Sequence, residues 1–96
     1  MQISTTEYDQ LVCPNCSGTC LHHSSVTVYE REEDDPKPLQ IHVEEGRIAV
    51  SKNNDGNPSP RRHGLRINFW CEECDEKPSL KILQHKGATL IEWEKK

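Results

Sequence analysis

Residues 64–76 read GLRINFWCEECDE, and this stretch decides the fold. Leu65, Ile67 and Phe69 alternate with Arg66, Asn68 and Trp70, the period-two pattern of a β-strand with two unlike faces. The strand runs directly into Cys71-Glu72-Glu73-Cys74, a C-x-x-C turn. The pattern therefore predicts a strand whose exit holds two sulfurs.

Upstream, Cys13-Pro14-Asn15-Cys16 repeats the spacing. Two such pairs in one small domain are the ligand set of a tetrahedral four-cysteine zinc site: Cys13, Cys16, Cys71 and Cys74. Two intervening residues make a tight turn that aims both sulfurs into one concavity, so each turn supplies half of the tetrahedron. Pro14 fixes φ at the start of the first turn, and Gly18 is expected to take the positive φ that brings the chain back past the metal. The second turn has no glycine. Asp75 tolerates the left-handed conformation and is expected to substitute. Four thiolates suit iron as well as zinc; structural Zn²⁺ is the favoured reading. Cys20 and His22 could each replace a ligand, but four positions are already filled. Cys20 then reads as a small buried hydrophobe. A disulfide framework fits the odd count of five cysteines poorly. A catalytic dithiol would want a βαβ context, and none is visible.

The rest of the chain reads as strand and turn. CLHHSSVTVYER at 20–31 alternates, with Val26 and Val28 on one face and Thr27 and Tyr29 on the other. PLQIHVEE at 38–45 puts Leu39, Ile41 and Val43 inward. Gly46 breaks it, and RIAVSK at 47–52 returns with Ile48 and Val50 as a hairpin partner. NNDGNPSPRR at 53–62 is a long loop. SLKILQHK and ATLIEWEKK flank Gly87 as a final hairpin. No segment has helical spacing over ten residues. The predicted fold is all-β, a small antiparallel sheet of about six strands, in one domain over 11–96 after a flexible N-terminus at 1–10.

Composition sets limits. Leu, Ile, Val and Phe make up 19 of 96 residues, close to the roughly 20% below which charged chains lose their core. A chain this short and core-poor needs a staple. Structural zinc supplies about 10–16 kcal/mol of apparent binding energy at neutral pH, against a net domain stability of about 5–15 kcal/mol. The metal-free chain is therefore expected to be largely unfolded near the two turns. No apolar run is long enough to span a membrane. Residues 1–12 lack the basic start and apolar stretch of a secretory signal, so the expected setting is reducing and cytoplasmic.

Together, CPNC, LHHSSVTVYER, NPSPRRHGLRINFWCEEC and LKILQHKGATLIEW resemble, along the whole chain, a group of small bacterial proteins of the zinc-ribbon (zinc β-ribbon) type. The resemblance implies a four-thiolate zinc site at Cys13, Cys16, Cys71 and Cys74, an antiparallel sheet and a bacterial, cytosolic setting. It implies no catalytic residue. Zinc ribbons in general bind nucleic acids or proteins. The 54 residues between Cys16 and Cys71 exceed the 15–20 of compact patterns.

Function is expected to be non-catalytic, a module that binds a protein partner and uses zinc structurally. Four cysteines close the metal shell, whereas catalytic zinc keeps a position open. No small-molecule substrate is expected. The alternative is nucleic-acid binding through Arg61, Arg62, Arg66 and Trp70, which could contact phosphates and stack a base. The net charge of −4 argues against that alternative. The bland account of the arginine pair is anchoring to the acids at 32–35 or 72–76.

Overall fold

The computed structural model describes residues 3–94; the ends of the expected N-terminal segment and of the domain, 1–2 and 95–96, lie outside it. Six strands form one sheet: β1 Leu21–Glu30, β2 Leu39–Glu44, β3 Arg47–Ser51, β4 Gly64–Cys71, β5 Ser79–His85 and β6 Ala88–Trp93. Their order is β3-β2-β1-β4-β5-β6, and every neighbouring pair is antiparallel. This is the all-β architecture that the alternating segments predict.

Both predicted hairpins close through two-residue turns. Glu45-Gly46 and Lys86-Gly87 all have positive φ, between 49° and 81°. That is the turn whose twist matches antiparallel strands, and it explains a glycine at the second position of each. Near the N-terminus, a bridge joins Thr5 to Leu11.

Register assigns the side chains to faces. On one face, Ile48, Val43, Val26, Ile67, Leu80 and Trp93 form a row crossing the whole sheet, one residue from each strand. A second row follows: Val50, Ile41, Val28, Leu65, Ile82 and Ile91. The opposite face carries Gln40, His42, Glu44, Ser25, Thr27, Tyr29, Arg66, Asn68, Ser79 and Lys81.

Burial corrects one expectation. Leu39, Ile41 and Val43, with Ile48 and Val50, were expected to face inward, yet Ile48 is 73% and Val50 62% exposed. The residues buried in β1 are instead Ser25, Thr27 and Tyr29, the last two at 4% exposure. The reason is the loop from 52 to 63. It must carry the chain from the edge strand β3 to β4 on the far side of β1, and it crosses the polar face to do so. Gln40 donates to Asn53 Oδ1 at 3.0 Å and to the Asp55 carbonyl at 3.1 Å. Arg66 donates to the Gly56 carbonyl at 3.2 Å. A Cβ at Gly56 would sit 2.8 Å from the Tyr29 hydroxyl, so only glycine fits. Ser59, almost fully buried, donates to the Gln84 carbonyl at 2.9 Å. Irregular backbone brings unpaired N–H and C=O groups with it, and these need polar partners underneath. Among the described residues no helix is long and apolar enough to cross a membrane.

Candidate metal centre

The first C-x-x-C turn lies just before β1, and the second follows β4. Because β1 and β4 are the antiparallel central pair, with Leu21 opposite Cys71, the entry of one meets the exit of the other. An irregularity between His23 and Ser25 lets the start of β1 adjust its register beside β4.

The two turns share one backbone design. In the first, Cys13 N–H donates to the Gly18 carbonyl at 2.8 Å, and Ser17 N–H donates to the Cys13 carbonyl at 3.0 Å. In the second, Cys71 N–H donates to the Glu76 carbonyl at 3.0 Å, and Asp75 N–H to the Cys71 carbonyl at 3.1 Å. The residue after the second cysteine turns left-handed in both: Ser17 at φ 65° and Asp75 at φ 58°. Asp75 does what the sequence predicts. Gly18 does not, because the positive φ falls one residue earlier, on Ser17. Gly18 serves close approach instead: a Cβ there would overlap the carboxylate of Glu73 from the other turn.

The sulfurs of Cys13, Cys16, Cys71 and Cys74 all lie within 4.8 Å of one another. Cys13 and Cys74 are 3.8 Å apart, and Cys16 and Cys71 are 3.6 Å apart. A tetrahedral ion with metal–sulfur bonds of about 2.3 Å sets its sulfurs about 3.8 Å apart. The donor set fits such an ion in both chemistry and spacing. All five cysteines are free thiols, and these separations are too long for disulfides. No family model, curated protein or solved structure matches the chain.

The surroundings pull the sulfurs in opposite directions. The Asn15 side-chain amide and the Glu76 N–H pull the Cys74 thiol down to about 7. Gly18 N–H acts in the same direction on Cys16, but burial and the neighbouring sulfurs of Cys74, Cys71 and Cys13 push that thiol up to about 12. Burial raises Cys71 against the N–H groups of Glu73 and Cys74. Four crowded sulfurs resist sharing negative charge, and a bound cation relieves that resistance. Asn15 was not singled out in the sequence. Its signal was its place inside the first turn, where a side-chain amide can reach across to the second.

Neither alternative ligand joins the cluster. Cys20 lies beside Glu73, whose carboxylate pushes its thiol up. His22 pairs with Glu72 at 3.0 Å and packs against Trp70, with ring centroids 5.4 Å apart.

The four residues proposed for nucleic acid are not gathered into one site. Arg61 grips Asp34 through both Nε and Nη2, the closest contact being 2.6 Å, and reaches Glu33 as well. Arg62 pairs with Glu33 at 2.9 Å. Arg66 pairs with Glu94 at 2.9 Å on the polar face. Trp70 is partly exposed on that face, against His22. The bland account of the arginine pair therefore describes the structure: it ties the 53–62 loop to the acids of 31–38. Sequence reasoning also missed a cluster of Glu30, Glu32 and His63. His63 Nδ1 there accepts the Arg31 N–H at 2.9 Å, which makes the imidazole a lock between loops.

Proposed function

We propose that the protein is a non-catalytic interaction module, clamped by a structural zinc ion and binding a protein partner. The single observation that carries this reading is the closed set of four sulfurs joining the entry of β1 to the exit of β4. Cys13, Cys16, Cys71 and Cys74 would hold the ion, leaving no position for water or substrate. Zinc supplies no redox chemistry in such a shell. Its contribution is binding energy that folds the turns. The apolar face supports the partner half of the reading, since among the described residues no strand or helix lies over its two rows of apolar side chains.

The line Thr27–His42–Glu44, with contacts of 2.7 and 2.9 Å, does not argue for hydrolysis. Thr27 is closed off under neighbouring groups, and the line is a cross-strand polar ladder. The arginines behind the nucleic-acid alternative are engaged by carboxylates, which leaves that alternative less supported than a protein partner.

Cobalt substitution tests the reading. The expected spectrum is that of tetrahedral four-sulfur ligation, unchanged by added azide or imidazole. A spectrum showing nitrogen or water, or one that shifts with added ligand, would reopen catalysis and overturn the proposal.

A further inference from the structure

Each cross-sheet row on the apolar face has six residues, one per strand, and all twelve are Ile, Val, Leu or Trp. No charged side chain interrupts either row. Only Leu80 and Trp93, at one corner, are buried; Ile48, Val50, Val43, Val28 and Ile91 are among the most exposed large hydrophobic residues of the molecule. Domains bury a sheet's apolar face against a second layer. Here strands contact only their sheet neighbours, so among the described residues no second layer of strand or helix lies over this face.

We infer that the second layer is a second copy of this chain, stacked face to face as a two-fold dimer. The inference rests on the interaction-module reading and names its partner. Three features favour a copy of itself. A two-fold contact sets a patch against itself, which a patch aliphatic at its centre and charged only at its rim, by Glu30 beside Leu39, tolerates and one charged at its centre does not. A protein of net charge −4, which four thiolates and one Zn²⁺ would take to −6, opposes contact between its own copies, and an uncharged patch is where close approach costs least. Size also matches. Six strands about 4.8 Å apart make a strip about 29 Å wide, and Phe69 and Leu39 bound it at about 20 Å in length. Setting aside the corner closed by Leu80 and Trp93 leaves about 500 Å² per copy. The pair then covers about 1,000 Å², the threshold for a specific interface. Two twisted sheets stack at about 10 Å with their strands within about 30° of alignment, so the rows can interdigitate.

The test is light scattering and sedimentation of the zinc-loaded full chain from about 1 µM to about 1 mM. The expected mass in the upper range is 22 kDa, twice the 11.0 kDa of one chain. Val50→Lys and Ile91→Lys, on opposite edges of the second row, should each weaken association at least about 100-fold, because each forces a charge into an apolar contact. Leu90→Lys lies on the polar face and should leave the dimer intact. Circular dichroism and metal content are read on every variant, and two independent sites guard against one that fails to fold. A mass of 11.0 kDa throughout overturns the dimer; an unresponsive four-sulfur cobalt spectrum in the same sample would leave the module reading standing, with another chain as partner. A dimer that resists both lysines but breaks with Ala49→Pro overturns it too, because association would then run through the β3 edge. An open cobalt shell would defeat the module reading whatever the mass.

Discussion

Tyr29 lies under a loop, whereas Val28, one position earlier on the same strand, faces outward. The contrast repeats along β1, where Ser25 and Thr27 are buried and Val26 is only half-buried. The polar face is polar because its cover is irregular backbone, which needs donors such as Gln40 and Arg66 and an acceptor such as the Gln84 carbonyl. The apolar face offers no such partners. It suits a cover whose own backbone is already paired, as a second sheet's would be. The chemistry of a sheet face thus reports the kind of structure that lies on it.

The largest expected effect removes both faces together. Exhaustive chelation at neutral pH should abolish the β circular-dichroism signal and the dispersed amide resonances, and zinc should restore them. The sign follows from magnitudes: about 10–16 kcal/mol of binding set against about 5–15 kcal/mol of net stability. A chelated sample that keeps its dispersed spectrum would show that the sheet stands without its clamp.

The next effect separates the faces. Asn68 donates to Ser25 Oγ at 2.7 Å and accepts from Ser79 Oγ at 2.8 Å beneath the covered side. Asn68→Ala should lower stability by about 1–3 kcal/mol by removing the donor to the buried Ser25 hydroxyl and the acceptor of Ser79 Oγ, which keeps only its contact with Arg66. Val50→Thr, on the bare side, should change it by less than about 0.5 kcal/mol in protein dilute enough to be monomeric. Urea midpoints at unchanged slope measure both. Equal losses would mean that the apolar face is covered in the monomer.

Much of this was legible in the residues. Alternation marks all six strands, Gly46 and Gly87 mark two hairpins, and the two C-x-x-C pairs mark the site. Burial was not legible, because alternation distinguishes two faces without saying which is covered. That choice depends on the path of residues 52–63, a tertiary matter with no local period. The left-handed residue of the first turn escaped for a related reason. Glycine is the cheapest residue at positive φ, but the turn's hydrogen bonds place that conformation on Ser17 and keep Gly18 for the approach of Glu73.

The smallest effect concerns the tie between the loop that covers the polar face and the 31–38 turn. Arg61 holds the Asp34 carboxyl below its ordinary value of 3.8. A depressed carboxylate stabilises the fold above its unfolded pKa, and that stabilisation is lost as pH falls through the folded pKa. The loss would therefore come below pH 3.8. A zinc ion held by the four sulfurs would leave earlier. Four thiols taking up protons weaken its binding by about 5.5 kcal/mol per pH unit, so about 10–16 kcal/mol is gone two to three units below neutrality, near pH 4–5. Such a clamp would open while Asp34 is still ionised. Arg61→Ala should leave the midpoint of acid unfolding where it is in the native sequence, followed by circular dichroism with a zinc indicator. A midpoint displaced by half a unit or more would show that the loop tie, rather than the sulfur clamp, governs how the covered face is lost in acid.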